Sequence, residues 1–384
     1  MPKTHARLSP SSAARWINCP GSVRISEGLP PAGSSPYADE GTHAHMVAEI
    51  KLHKATGGIS LRQYGKAMGN AAESEYWCAE MDEATDFYAA AVLEELLAAG
   101  EEASLCIEQR IDFSRWVPDG FGTSDAVIVS PDAITVIDLK YGKGVKVEAQ
   151  GNPQLRIYAL GAWSMFEGLY DLEKVKTMII QPRLDHISTE ELPVSELLQW
   201  ADDVVAPRAR MAANGTDYTA CGDWCRWCPA KAVCRTRAEA QLELAAYDFR
   251  KPDLLTADDI ADILGRAEDL QKWVADVQDY ALQQALQGER YTGWKLVEGR
   301  AVRKYADELK VAETLKAAGI PEAALYERKL LGLTAMEKLV GKKKLTETLG
   351  ELIVRPAGKP VLVPESDRRP EISAAESAKA DFAE

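Results

Sequence analysis

The sequence has 384 residues, of which 46% are hydrophobic and 27% are charged, and this composition excludes a largely disordered chain. The formal net charge of -14 argues against a protein that binds nucleic acid through its overall charge alone. No run of 18 apolar residues is present, and the amino terminus lacks the apolar stretch of a signal peptide. We therefore expect a cytoplasmic protein that contacts no membrane.

Helical and strand-like patterns alternate in the first half of the chain. Apolar positions at helical spacing predict a helix that Gly100 closes, and short β-branched runs typical of strands follow it. The predicted order is helices at Ser11–Asn18, about Ala38–Ala55 and Asp82–Ala99, strands at Ser104–Ile111, Gly122–Ser130 and Ala133–Leu139, a helix at about Pro153–Glu167 and a strand at Val175–Ile180. This order predicts the α/β class, with a mixed sheet flanked by helices.

The second half of the chain is predicted to be mostly helical. Helices are expected at about Val194–Ala213, Ala238–Ala246 and Ala257–Leu286, followed by a strand pair around Gly293–Tyr305 and short helices to about Leu352. The chain is too long for one core of typical size. We predict a first domain at residues 1–248, a mostly helical domain at 249–355 and a mobile tail at 356–384.

Two aspartates and a lysine stand on neighbouring predicted strands. Asp125 lies near the start of one strand, and Asp138 and Lys140 end the next after a short turn. Antiparallel pairing brings both aspartates to one end of the sheet, and the period of two places Asp138 and Lys140 on one face. The alternative interpretation is a turn residue followed by a solvated strand end.

Converging carboxylates repel each other unless a cation lies between them. Mg²⁺ and Mn²⁺ prefer such oxygen ligands. Lys140 can orient the attacking water or stabilise charge that develops on a phosphate. These groups therefore suit metal-assisted hydrolysis of a phosphodiester.

Four motifs occur in an order that resembles RecB-family nucleases of the PD-(D/E)xK superfamily. They are Gly41-Thr42-His43-Ala44-His45 on a predicted helix, Gly122-Thr123-Ser124-Asp125 and Asp138-Leu139-Lys140 on strands, and Gln154-Leu155-Arg156-Ile157-Tyr158 on the next helix. The resemblance covers roughly residues 10 to 240 and rests on the conjunction, because each motif alone is weak. It implies a PD-(D/E)xK nuclease core.

The resemblance also implies roles for individual residues. His45, Asp125 and Asp138 would be metal ligands together with the main-chain carbonyl of Leu139, and Lys140 would be the catalytic lysine. Gln154 and Tyr158 would position the nucleic acid strand and the active site. His43 competes with His45, but the motif spacing selects His45; Glu40, Glu49 and Glu108 are secondary candidates.

Three of the seven cysteines follow a C-x-x-C-x5-C spacing. In a reducing compartment such a group indicates a metal site, and Cys225, Cys228 and Cys234 need a fourth ligand for zinc or an iron–sulfur cluster. The fourth ligand is either Cys221, which is close in the sequence, or Cys19, which lies far from the other cysteines along the chain. Cys78 and Cys106 fit no pattern and are predicted to be buried.

The second alternative resembles the iron–sulfur nucleases, which include AddB-type helicase–nuclease subunits and CRISPR adaptation nucleases. In these, one cysteine precedes the nuclease motifs and three follow, so the resemblance implies a structural [4Fe–4S] cluster on Cys19, Cys225, Cys228 and Cys234. A zinc site that uses Cys221 is the main competitor.

Basic residues follow the acidic pair. Lys143 and Lys146 alternate with glycines in a loop that is suited to phosphate contacts. Trp224 and Trp227 either stack on bases or pack beside the cysteines. Lys342-Lys343-Lys344 is a further basic run, with a solvated helix end as its default interpretation.

These features predict a metal-dependent DNA exonuclease. Single-stranded ends are the expected substrate by analogy with the cluster-containing nucleases. The carboxyl half resembles an uncharacterised phage and prophage family of RecB-like proteins, which implies a role in phage replication or recombination, with phage proteins as partners. Two alternatives remain: a catalytically silent DNA-binding or scaffold protein on a nuclease fold, and a zinc-stabilised interaction module.

Overall fold

The computed structural model describes residues 6–29, 35–243 and 256–295, residue 297, residues 308–317 and 341–349, and isolated positions between 321 and 353. The chain divides into two compact units, Met1–Ala281 and Leu282–Glu384. The boundary predicted after residue 248, most of the strand pair predicted at 293–305 and the tail predicted from 356 lie outside the described residues.

A five-stranded mixed sheet forms the centre of the first unit. Its strands are β1 (Ser104–Asp112), β2 (Phe121–Val129), β3 (Ala133–Leu139), β4 (Lys174–Gln181) and β5 (His186–Pro193), and they neighbour each other in that order. β3 and β4 are parallel and the other pairs are antiparallel. A parallel pair needs a crossover, which a helix after β3 supplies here.

Helices surround the sheet. In the first unit they are α1 (Ala13–Asn18), α2 (Gly21–Ser26), α3 (Pro36–Ala55), α4 (Leu61–Ala72), α5 (Ala79–Ala98), α6 (Pro153–Phe166), α7 (Val194–Trp200), α8 (Ala206–Ala213) and α9 (Arg235–Leu242). α10 (Ala257–Leu286) follows, and in the second unit α11 (Glu308–Ala317) and α12 (Lys342–Leu349) are described. The predicted α/β class, with a helical carboxyl region, is confirmed.

The two faces of the sheet bury separate apolar clusters. On one face Val127 and Val136 pack with Leu155 of α6, and α1, α7 and α8 add to this cluster. On the other face Ile137 and Leu139 pack with side chains of α3 and α5. Both faces are covered, so the strands are apolar along most of their length, as expected for a sheet with helices on each side.

Several elements differ from the prediction; α2, for example, was not predicted, and α9 begins three residues earlier than expected. β5 was not predicted because its inward positions include Ser188 and Glu190, so no apolar alternation marks it. α4 was not predicted because it contains two glycines, although Ser60 and Gln63 form a capping box at its start. The single helix predicted at Val194–Ala213 contains a π-helical turn before Pro207, which lacks the N–H that an α-helix needs there.

No described helix combines the length and the apolarity that crossing a membrane requires.

Candidate metal centre

Three side chains from three elements converge at one end of the sheet. They are His45 of α3, Glu108 of β1 and Asp125 of β2, and one ligand atom from each lies within 4.8 Å of the others. All three are partly exposed. An imidazole and two carboxylates at this spacing form a group that can hold a metal ion.

Asp125 connects the strands to the helix. One oxygen accepts a hydrogen bond of 2.7 Å from the main-chain N–H of Leu139, and the other lies 3.2 Å from Nδ1 of His45. Burial lowers the pKa of His45, but the charge and hydrogen bond of Asp125 outweigh burial and raise it to about 8. The imidazole is therefore oriented towards the carboxylate.

Glu108 has an unusual backbone conformation. The β1–β2 ladder pairs the residues on either side of Glu108 but skips Glu108 itself, whose φ of 46° is in the left-handed region that a non-glycine residue rarely occupies within a strand. Burial and the charge of Asp125 raise its pKa to about 7. Such strain is typical of functional sites. Glu108, a secondary candidate from the sequence, thus joins His45 and Asp125.

Asp138 and Lys140 form a second, adjacent group. Lys140 Nζ lies 2.7 Å from Asp138 Oδ2, as the shared strand face predicts. Gln154 of α6 donates to Asp138 Oδ1 at 2.9 Å and accepts from Lys140 Nζ at 3.2 Å. Burial lowers the pKa of Lys140, but Asp138 more than compensates, so its pKa is raised and the lysine stays protonated.

Asn152 sets the position of Gln154. Its side chain accepts from the N–H groups of Gln154 and Leu155, and Pro153 occupies the first turn, so α6 begins at a defined residue beside Asp138. Tyr158, one turn further along α6, is nearly buried, and burial with the charges of Asp138 and Asp125 raises its pKa. The structure therefore brings the residues of all four motifs to one region.

Of the remaining histidine and glutamate candidates, some lie away from the centre and one lies in its cleft. His43 bonds to the carbonyl of Ala71 at 3.0 Å, away from the centre. Glu40 pairs with Arg183 at 3.1 Å, whereas Glu49 lines the same cleft as His45. The motif spacing therefore selected the histidine that faces Asp125.

The basic loop after β3 is exposed. Lys143 Nζ lies 2.5 Å from Glu80 Oε1 of α5, and Lys146 is also exposed. Arg183 contacts Glu80 at 3.0 Å and lies over the ring of Tyr141. These contacts attach the start of the loop to α5.

Cys19 lies beside the later cysteines, although more than 200 positions separate them. The N–H of Ala220 donates to Cys19 Sγ at 3.4 Å. Burial raises the pKa of Cys228, and the nearby Cys19 and Cys234 add to this effect. Burial also raises the pKa of Cys225 to about 12, and Cys221 and Cys228 add to it. Among the described residues, no three cysteine sulfurs lie within 4.8 Å of one another.

A family model described as "Protein of unknown function (DUF2800)" matches residues 5–370. The chain belongs to this family. The match spans both units and includes the candidate metal centre and the cysteines.

This DUF2800 chain is also similar to a solved structure described as "Crystal structure of SSO0001". The identity is 15%, the TM-score is 0.22, and the match covers 57% of this chain and 95% of that chain.

The two cysteines outside the metal-site pattern and the two tryptophans beside it differ in their exposure. Cys78 is exposed, so the prediction of a buried residue was wrong, whereas Cys106 is partly buried against the core. Trp224 is partly buried and donates to Ala220 O at 3.0 Å, whereas Trp227 is 75% exposed and the Arg226 guanidinium lies 5.2 Å from its ring centroid.

Proposed function

We propose that this protein is a metal-dependent deoxyribonuclease of the RecB-like PD-(D/E)xK type, and that it acts as an exonuclease on single-stranded DNA ends. One observation supports this most: His45, Glu108 and Asp125 converge within 4.8 Å beside the Asp138–Lys140 ion pair. The acidic group alone is unspecific, but a charged lysine held by a buried carboxylate next to it suits the stabilisation of charge that develops on a phosphate.

The donor set fits Mg²⁺ or Mn²⁺. The carboxylate oxygens of Glu108 and Asp125 suit hard divalent cations, and the imidazole nitrogen of His45 is a softer third donor. Asp138 and the carbonyl of Leu139 would complete the ligands. When bound, such a cation supplies a Lewis acid for a phosphate oxygen and an acidic water.

The residues around this centre have separate tasks. Lys140 would stabilise the negative charge that develops on the phosphate, because its ammonium group is held in place by Asp138 and Gln154. Gln154 fixes both groups at once, so it would position rather than react. The exposed Lys143 and Lys146 would contact the phosphates of the strand.

We further propose a structural [4Fe–4S] cluster on Cys19, Cys225, Cys228 and Cys234. The adjacency of Cys19 to Ala220 supports it, because one group there would join the two ends of the nuclease domain and restrict the unfolded chain. Zinc on Cys221 and the trio is the competing arrangement. Iron with inorganic sulfide in anaerobically purified protein supports the cluster, and zinc alone contradicts it.

The test of activity compares Lys140→Ala with a matched lysine variant. End-labelled single- and double-stranded DNA is incubated with Mn²⁺ or Mg²⁺ and either wild type, Lys140→Ala or Lys272→Ala. Lys272 is an exposed lysine that pairs with Glu268 on α10, so its loss is a control for the removal of one charge. Circular dichroism checks that each variant is folded.

We expect wild type and Lys272→Ala to degrade single-stranded DNA from its ends and Lys140→Ala to be inactive. Equal degradation by all three would contradict the assigned site. Inactivity of wild type with a full cluster would favour the silent DNA-binding or scaffold protein, and inactivity with zinc alone would favour the interaction module. Association with phage replication or recombination proteins is part of the same proposal.

A further inference from the structure

Arg110 of β1 is an exposed arginine that the roles given above do not use. Its guanidinium lies over the ring of Phe121, on β2, with Cζ 4.1 Å from the ring centroid. Within the described ranges, no carboxylate forms a hydrogen bond or an ion pair with this guanidinium. Asp112, which lies near it, accepts a hydrogen bond of 2.8 Å from the N–H of Ser114. The positive charge of Arg110 is therefore available to an anion from outside the chain.

Arg110 lies on the side of the sheet that also carries the metal centre. The register of β1 and β2 pairs Arg110 with Thr123, so their side chains share one face. A Cβ at the next residue, Gly122, would lie 2.9 Å from the ring of Tyr158, so Gly122 faces α6 and Thr123 faces the other way. α3, which carries His45, packs on that other face. Arg110 and the imidazole of the centre are therefore on the same side of the sheet.

The position of Arg110 suits a strand that passes through the metal centre. Thr123 precedes Asp125 by two residues, which is about 7 Å along a strand. β2, with Asp125, lies between β1 and β3, and β3 leads into the loop of Lys143. The centre thus has Arg110 on one side and Lys143 on the other. A nucleotide chain with one phosphate at the centre can place a neighbouring phosphate near Arg110.

The contact with Phe121 prepares the guanidinium for a phosphate. The planar group keeps its charge when it lies on an aromatic ring, and the N–H groups along its edge remain free to donate. Such a fork matches two oxygens of a phosphate. The ring also restricts the conformations of the Arg110 side chain, so less entropy is lost when the phosphate binds.

We propose that Arg110, held on Phe121, binds a phosphate of the single-stranded substrate next to the phosphate at the metal centre. Arg110 is thus a substrate-binding residue that positions the strand and takes no part in the chemical step. This inference rests on the proposed function, because it states how the same site holds its DNA.

The test measures DNA affinity in proteins that carry Lys140→Ala, which we expect to leave the DNA intact. Fluorescence anisotropy follows the binding of a labelled oligothymidylate to the full chain with Mn²⁺ at several KCl concentrations. Addition of Arg110→Gln should raise the dissociation constant about 10-fold, because one hydrogen-bonded charge contact is lost. The slope of log K against log[KCl] should become shallower by about 0.7, as for one phosphate of a single strand.

Phe121→Leu tests the contribution of the ring. This variant keeps the charge of Arg110 but removes the surface on which the guanidinium lies. We expect the dissociation constant to rise and the salt slope to stay the same, because the number of charges is unchanged. Affinity equal to that of the parent protein would contradict the role of the ring.

Addition of Arg115→Gln is the matched control. Arg115 also lies over an aromatic ring, that of Trp116, but it pairs with Glu167 at 3.3 Å. Its loss removes the same charge and should change neither the affinity nor the slope. Equal effects of the two arginine variants would overturn the inference, and so would unchanged affinity in Arg110→Gln. Weaker binding with an unchanged slope and a lower melting temperature would assign Arg110 to folding and also overturn it.

Three outcomes separate this inference from the proposed function. Cleavage of single-stranded DNA by wild type and by Arg110→Gln with the same KM would refute only the contact of Arg110. Lys140→Ala protein that binds no oligothymidylate would overturn the inference together with single-stranded DNA as the substrate. Weaker binding caused by Arg110→Gln, with a wild type that cleaves no DNA, would support the phosphate contact and refute the nuclease.

Discussion

One carboxylate oxygen of Asp125 accepts a hydrogen bond of 2.7 Å from the main-chain N–H of Leu139. This bond extends the pairing of β2 and β3 by a side chain at the point where the ladder ends. It leaves the second oxygen of Asp125 to face His45. The hydrogen bond between Leu139 and Asp125 at the strand end therefore orients a ligand of the proposed metal centre.

Asp125 variants should separate metal binding from folding. Asp125→Asn keeps an oxygen for the Leu139 N–H but loses the negative charge, so we expect Mn²⁺ affinity to fall by at least about 10-fold with little loss of stability. Asp125→Ala also leaves that N–H unpaired, which should cost about 1–3 kcal/mol of unfolding free energy. Titration calorimetry and urea unfolding measure the two effects, and equal stability of both variants would contradict the role of the bond.

His45 should titrate above its usual range in the metal-free protein. Its pKa of about 8 exceeds the unfolded value of about 6.5, so the protonated imidazole contributes stability that is complete below about pH 6.5 and is lost as the pH rises through 8. NMR titration of the imidazole measures this directly. In Asp125→Asn the pKa should fall clearly, because burial then acts without the carboxylate; an unchanged value would show that Asp125 is not the cause.

Glu190 should stabilise the fold through its buried pair with Arg156. Glu190 Oε1 lies 2.5 Å from Arg156 Nη2 and also accepts from the Gly151 N–H, with Glu190 2% and Arg156 14% exposed. Glu190→Ala leaves Arg156 without its partner and should cost about 3–5 kcal/mol. Urea unfolding tests this, with the exposed neighbour Glu191→Ala as the control.

The same pair predicts a pH dependence of stability. Burial raises the pKa of Glu190, but Arg156 and the Gly151 N–H lower it below its usual range. The ionised Glu190 therefore contributes to the free energy of unfolding above the unfolded pKa of about 4.3. This contribution is lost as the pH falls through the lower pKa of the folded state. Glu190→Gln should flatten this part of the acid unfolding curve, and an unaltered curve would contradict the assignment.

Gly21 should be required for contact between the chain start and the cysteine segment. A Cβ at Gly21 would lie 2.6 Å from Tyr218 O and 2.9 Å from Thr219 Cγ2. Gly21→Ala should therefore destabilise by about 1–3 kcal/mol, although alanine favours helices. Gly28→Ala is the control, because nothing lies within 4 Å of its Cβ position. Thermal unfolding and iron content measure the outcome, and equal behaviour of the two variants would contradict the close approach.

Local sequence patterns predicted the bounds of strands β1 to β4 to within one or two residues. They also predicted both ends of α10 at the residues where the structure has them. These elements have a clear period and apolar inward positions, so tertiary contacts do not override them. β5 was missed because its buried Glu190 is stabilised by Arg156, on α6, and no local pattern reveals such a partner.

The sequence by itself determined the order of the four motifs and the shared face of Asp138 and Lys140, because side chains in a strand alternate with a fixed period. Only the tertiary structure decided that Glu108 lies with His45 and Asp125 and that Tyr88 lines the same cleft. The hydrogen bond between Ala220 N–H and Cys19 Sγ is likewise visible only there. Those contacts depend on the register of strands and the packing of helices far apart in the chain. Local periodicity carries no information about either.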